Sequence, residues 1–99
     1  MRIVTRVLPR LERAKFATHL RALDGEDRRL RFGLALPDAA IDEYVARIDF
    51  GRDVVFGVFD DALHLIGAAH LARADAHAEL GVSVLPRHRG RGIGAALLA

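Results

Sequence analysis

Residues 80–99, LGVSVLPRHRGRGIGAALLA, constrain the fold more than any other stretch. Leu80, Val82 and Val84 alternate with smaller residues, the period of a strand with one face turned to a core. Pro86 ends that strand, and Arg89-Gly90-Arg91-Gly92-Ile93-Gly94 then runs into Ala95-Ala96-Leu97-Leu98, which starts a helix. A strand, a glycine loop and a helix start in this order make an anion site. The first backbone N–H groups of a helix have no partner within it, and its dipole favours negative charge there. Glycines let the backbone come close to a bulky phosphate.

The preceding chain sets the layers around this loop. Residues 2–8 alternate Ile3, Thr5 and Val7 against Arg2, Val4 and Arg6, a first strand closed by Pro9. From Leu11 to Leu23, Phe16, Leu20 and Leu23 fall at helical spacing, with Arg13, Lys15, His19 and Arg21 expected to face water. Asp24-Gly25 is expected to stop this helix, and residues 26–32 to add one charged helical turn before Gly33. Pro37-Asp38 opens the clearest helix, with Ile41, Tyr44, Val45 and Ile48 on one apolar stripe and Gly51 as a left-handed cap. Tyr44 is read there as packing.

After Gly51 the period changes to two. Residues 54–59, 63–72 and 77–85 read as three strands joined by turns at Asp60-Asp61 and Arg73-Ala74-Asp75, with a bulge at Gly67. Such short turns cannot hold crossover helices, so the strands form an antiparallel meander. The fold class is therefore α+β, helices packed on a mostly antiparallel sheet in one domain. The sequence ends at Ala99 inside its last helix without a cap, and nothing follows to pair with residues 80–85. That predicts either an incomplete domain or homodimerisation through the Leu80–Leu85 edge.

Several chemistries fall away. A P-loop needs a lysine and a hydroxyl after its last glycine, and neither stands here. Gly90-x-Gly92-x-x-Ala95 matches a relaxed dinucleotide fingerprint but follows a meander instead of the first strand of a βαβ unit. A plain glycine turn is the remaining structural reading. Ser83 lacks a nucleophile elbow, because Leu85 stands where its second glycine belongs. No pair among His64, His70, His77 and His88 has helical metal-site spacing, and there is no cysteine, so no metal is expected. Arg87-His88-Arg89-x-Arg91 is too short and too poor in aromatics for a nucleic-acid surface, and the net charge is only +2. No membrane segment or signal peptide is legible, and a cytoplasmic location is expected.

Val82-Ser83-Val84-x-Pro86-x-x-Arg89-Gly90-Arg91-Gly92-Ile93-Gly94-x-x-Leu97-Leu98 resembles the acetyl-coenzyme A signature of the GNAT (Gcn5-related N-acetyltransferase) superfamily. Arg89, Gly92 and Gly94 fill its fixed positions. The element order, β-α-α-β-β-β-α, resembles the first two-thirds of such a domain. Asp27-Arg28-Arg29-Leu30-Arg31-Phe32 and Ala78-Glu79-Leu80 are similar to segments of the protein-lysine-acetyltransferase subgroup.

The resemblance implies acetyl transfer from acetyl-CoA, a co-substrate, to a primary amine by direct attack. It implies that residues 89–94 cradle the pyrophosphate, with charge added by Arg89 and Arg91. It implies that Val82, Ser83 and Val84 align the pantetheine arm through main-chain bonds and polarise the thioester. Glu79 is then either the general base or an exposed carboxylate at a strand end. The family's usual acid, a tyrosine on a later helix, has no counterpart in the sequence. The other reading is a truncated, non-catalytic GNAT-like module that binds CoA weakly or mediates self-association.

Overall fold

The computed structural model describes residues 3–99. Strand β1 (Thr5–Val7) leads through a 3-10 turn at Arg10–Glu12 to α1 (Arg13–Arg21), α2 (Gly25–Phe32) and α3 (Asp38–Ala46). Strands β2 (Val54–Phe59), β3 (Leu65–Arg73) and β4 (Ala78–Val84) follow, then a 3-10 turn at Pro86–His88 and α4 (Ile93–Leu98). The four strands form one sheet in the order β1-β2-β3-β4, each pair antiparallel. β4 is an edge strand of this sheet. Arg2, expected in the first strand, lies outside the described residues.

The sheet carries a core on each face. Phe16, Leu20, Ile41 and Val45 from α1 and α3 bury against Val55, Leu65 and Ala68. Ile93 and Leu97 of α4 bury against Val58, Ile66 and Ala69 on the other face. The bulge falls beside Gly67, as expected. Val58 pairs with Gly67 and Phe59 with Leu65, which leaves Ile66 as the extra residue. The bulge turns both Ile66 and Gly67 toward α4. A Cβ on Gly67 would stand 2.5 Å from Ile93 Cγ2, so the absent side chain sets how close α4 comes to the sheet.

Four local expectations change. Asp24 does not end α1; its carboxylate accepts from the Asp27 N–H at 2.8 Å and caps the start of α2. Residues 25–32 then complete two turns, and Gly33 closes them at φ 85. Gly51 is not a left-handed cap. Arg13 instead turns inward from α1, and its Nη1 donates to the carbonyls of Val45, Ala46 and Ile48 at 2.7, 3.2 and 2.8 Å. Those bonds satisfy the carbonyls a C-capping residue would otherwise serve.

His19 is the fourth. It is 2% exposed and lies on the buried stripe with Phe16 and Leu20. Its Nδ1 bonds the Leu65 carbonyl and its Nε2 the Ser83 hydroxyl, both at 2.8 Å. The carbonyl can only accept, so Nδ1 carries the proton and Nε2 accepts from Ser83. Burial pushes the His19 pKa down to about 4, against the hydrogen bond to Leu65. The ring stays neutral and ties α1 to β3 and to the edge strand β4.

Candidate functional site

The strand, loop and helix at the chain's end fold around a cleft of about 380 Å³. β4 alternation places Val82 and Val84 toward α4 and Gly81 and Ser83 toward the helices on the other face. The chain leaves β4 at Leu85, makes its 3-10 turn, and reverses through Gly90 at φ 77 and Gly92 at φ 82. Both lie in the left-handed region where a side chain is strained. Gly92 caps the start of α4. Val82, Ser83, Val84, Arg89, Gly90, Gly92, Ile93 and Gly94 all line the cleft, whose far wall is Leu23, Leu30 and Arg31. Arg91 is outside the lining and approaches His88 Nδ1 at 3.3 Å.

Two side chains differ from a simple cradle. The Arg89 guanidinium is already engaged: Nη2 pairs with Asp27 Oδ1 at 2.6 Å, and Nε donates to the Val84 carbonyl at 3.2 Å. It braces the loop against α2. Asp27 is 8% exposed, and its Oδ2 has no hydrogen-bond partner. The Ser83 hydroxyl is spent on His19, so only the Ser83 backbone faces a ligand along β4.

Glu79 lies on the same face of β4 as Gly81 and Ser83, at a second cavity of about 430 Å³. Arg31, Tyr44, His70 and Gly81 share its wall. Here the structure corrects the assignment of Tyr44 to packing alone. Its ring stands edge-on to Phe32, with centroids 5.2 Å apart, but its hydroxyl is at the centre of a polar chain. Arg31 Nη2 donates to the Tyr44 oxygen at 2.9 Å, and the hydroxyl bonds His70 Nδ1. His70 Nε2 meets Asp53 Oδ2 at 2.9 Å, with both residues buried. The carboxylate fixes the proton on Nε2, so Nδ1 accepts from Tyr44.

Burial alone would raise the Asp53 pKa. The Arg73 backbone N–H, His70 and Arg52 more than offset it, and the carboxyl is held below its usual range. Burial raises the Tyr44 pKa, with Arg31 opposing, so the hydroxyl keeps its proton. Nothing in the sequence joins residues 31, 44, 53 and 70. The one available signal was the place of Tyr44 on an apolar stripe, since a buried phenol needs a partner for its hydroxyl.

Among the described residues no group of three or more His, Cys, Asp or Glu is placed to hold a metal ion, and no helix is long and apolar enough to cross a membrane.

Residues 18–99 match the family model described as "Acetyltransferase (GNAT) family". The chain belongs to the GNAT acetyltransferase family. Solved GNAT structures share the fold. The GNAT domain of S. lividans PAT superposes with a TM-score of 0.74 at 19% identity, over 97% of this chain and 61% of that one. A phosphinothricin acetyltransferase from Sinorhizobium meliloti, in complex with AcCoA, gives 0.67 at 20% identity, over 99% and 56%. The PaiA N-acetyltransferase from Thermoplasma acidophilum, in complex with coenzyme A, gives 0.64 at 20% identity, over 99% and 68%. The chain thus spans about three-fifths of the length of the first two GNAT structures. No curated protein matches it.

Proposed function

We propose that this chain carries the acetyl-CoA site of an N-acetyltransferase that acetylates a primary amine. The observation that carries this reading is the cleft itself. Two left-handed glycines, the start of α4 and the free side of β4 converge on one space, which suits a phosphate followed by an extended arm. The N–H groups of residues 92–94 receive the pyrophosphate. The backbone of residues 82–84 pairs with the pantetheine like an added strand. Arg89 acts mainly by bracing the loop, because Asp27 already holds its guanidinium. Two GNAT neighbours were solved with AcCoA or coenzyme A, which supports the same ligand here.

In the proposed reaction the amine nitrogen attacks the thioester carbonyl and an N–C bond forms. The C–S bond breaks, and the coenzyme leaves as a thiolate that takes up a proton. A β4 backbone N–H stabilises the oxyanion between these steps. Glu79, unpaired among the described residues and facing the second cavity, takes the proton from the amine.

Calorimetry with acetyl-CoA tests the reading. Micromolar to millimolar binding is expected, weakened by Arg89→Ala. A folded chain that takes up no ligand at millimolar acetyl-CoA rules it out. Self-association through the edge of β4 belongs to the other reading, a non-catalytic module, because a second copy and the pantetheine arm would use the same main-chain groups; sedimentation that stays monomeric at high concentration removes that reading.

A further inference from the structure

Three arginines of the described residues are half-buried: Arg13, Arg28 and Arg31. Arg28 is engaged on all three of its nitrogens, and Arg13 commits its Nη1 to a helix end. Arg13 serves three carbonyls, while Arg28 donates to the carbonyls of Leu23, Leu36 and Arg21 and to the Asp38 carboxylate. Arg31 is different. Its single hydrogen bond goes to a neutral phenol, its buried Nε has no partner, and no carboxylate pairs with it. A guanidinium drawn out of water without an anion is costly, and the ligand that best relieves it is a carboxylate, which it grips with two parallel bonds.

Arg31 is also held in place. Its guanidinium lies over Gly81, where any Cβ would overlap it. Asp53, His70 and Tyr44 form a chain of hydrogen bonds that fixes the phenol oxygen receiving its Nη2 proton. Glu79 lies two residues from Gly81 on the same face of β4, and successive same-face residues of a strand stand roughly 7 Å apart. Arg31 and Glu79 therefore face one cavity of about 430 Å³ with opposite charges and do not pair with each other.

We infer that this cavity binds a zwitterion, an α-amino acid or a compound built like one, with its carboxylate on Arg31 and its ammonium on Glu79. The inference rests on the proposed function for its chemistry, since the ammonium on Glu79 is the amine to be acetylated. It names the acceptor class: an amine that carries its own carboxylate. Tyr44, His70 and Asp53 are positioning residues for Arg31. Arg31 also lines the coenzyme cleft, so a phosphate of the coenzyme is the other source of an anion.

Tyr44 is the only tyrosine and there is no tryptophan, so its emission reports on the hydroxyl that bonds Arg31 and His70. The test titrates the full chain with leucine, methionine and glutamine, each beside its carboxamide, which keeps the ammonium and loses the carboxylate. At least one amino acid is expected to bind roughly tenfold more tightly than its carboxamide, the scale of a charge-assisted bidentate pair. Arg31→Leu is expected to erase that preference and Arg31→Lys to keep part of it. Glu79→Gln is expected to weaken both members of each pair and leave their ratio.

Carboxamides that bind as well as the amino acids overturn the inference, and so does a Tyr44 signal that no ligand changes. A preference that survives Arg31→Leu overturns it as well. If Arg31→Leu does not fold, the wild-type ratio and Arg31→Lys decide. Acetyl-CoA calorimetry on the same proteins is read separately. Loss of coenzyme binding with the amino-acid preference intact removes the proposed function and spares the site. An Arg31→Leu effect on acetyl-CoA alone assigns the anion to the coenzyme and overturns the inference.

Discussion

The two cavities beside β4 are similar in size, about 380 and 430 Å³, but they are built in opposite ways. The cleft at α4 is chiefly a contiguous run, residues 82–94, and its shape comes from backbone: two left-handed glycines, a helix start and a strand edge. The cavity at Glu79 is assembled from side chains on α2, α3, β3 and β4, residues far apart in the chain. Backbone geometry suits an anion such as a phosphate. Side chains held by a hydrogen-bonded chain suit selection among acceptors. One element, β4, serves both, because residues 79–81 border one cavity and residues 82–84 the other.

Perturbations that separate the two sides sharpen this contrast. The largest expected effect is at His19, which ties β4 to α1. Its folded-state pKa of about 4 lies below the unfolded value, so below about pH 6.5 the unfolded chain takes up a proton that the native ring refuses. Stability is full above that pH and falls by about 3 kcal/mol as pH drops to about 4. Urea melts across that range check it. His19→Gln should flatten much of the slope, and an unchanged slope refutes the assignment.

Asp53→Ala comes next. It strands the His70 Nε2 proton in a buried setting, removes the acceptor of the Arg73 amide, and is expected to lower stability by about 2 kcal/mol. It should also loosen Tyr44 and change its emission while acetyl-CoA affinity holds. An equal loss at both cavities would break the division between them.

Gly92→Val is the reciprocal change. A β-branched residue at φ 82 adds about 1–2 kcal/mol of backbone strain, and roughly tenfold weaker acetyl-CoA binding is expected with Tyr44 emission unaltered. Calorimetry and fluorescence on one sample read both. Arg47→Ala is the control outside both sites. It removes an exposed pair with Glu43 on α3 and should shift stability by no more than about 0.5 kcal/mol.

Much of the cleft at α4 was legible in the sequence, because a glycine loop between a strand and a helix is a local pattern with a local consequence. The meander was legible for the same reason, and so was the bulge at Gly67. The errors share one cause. Polarity places Arg13 and His19 in water, yet each is turned inward by a partner remote in sequence: the end of α3 for Arg13, Leu65 and Ser83 for His19. A signal for His19 existed, since it falls at i+3 from Phe16 on the stripe that continues to Leu20 and Leu23. For Arg31 and Asp53 there was none. A glycine after a helix often caps it, but at Gly51 an arginine from another helix takes that task.

By itself, the sequence determined the period of each element, the antiparallel order of the last three strands and the glycine loop that opens α4. These follow from steric limits and hydrophobic periodicity acting over a few residues. Only the tertiary structure decided which polar groups meet. It set Arg31 above Gly81, hung its partner Tyr44 from His70 and Asp53, and left Glu79 across the same cavity. The physical reason is that a buried polar group is defined by its partner. Here each partner is brought by a different element, so the pairing exists only once helices and sheet have packed.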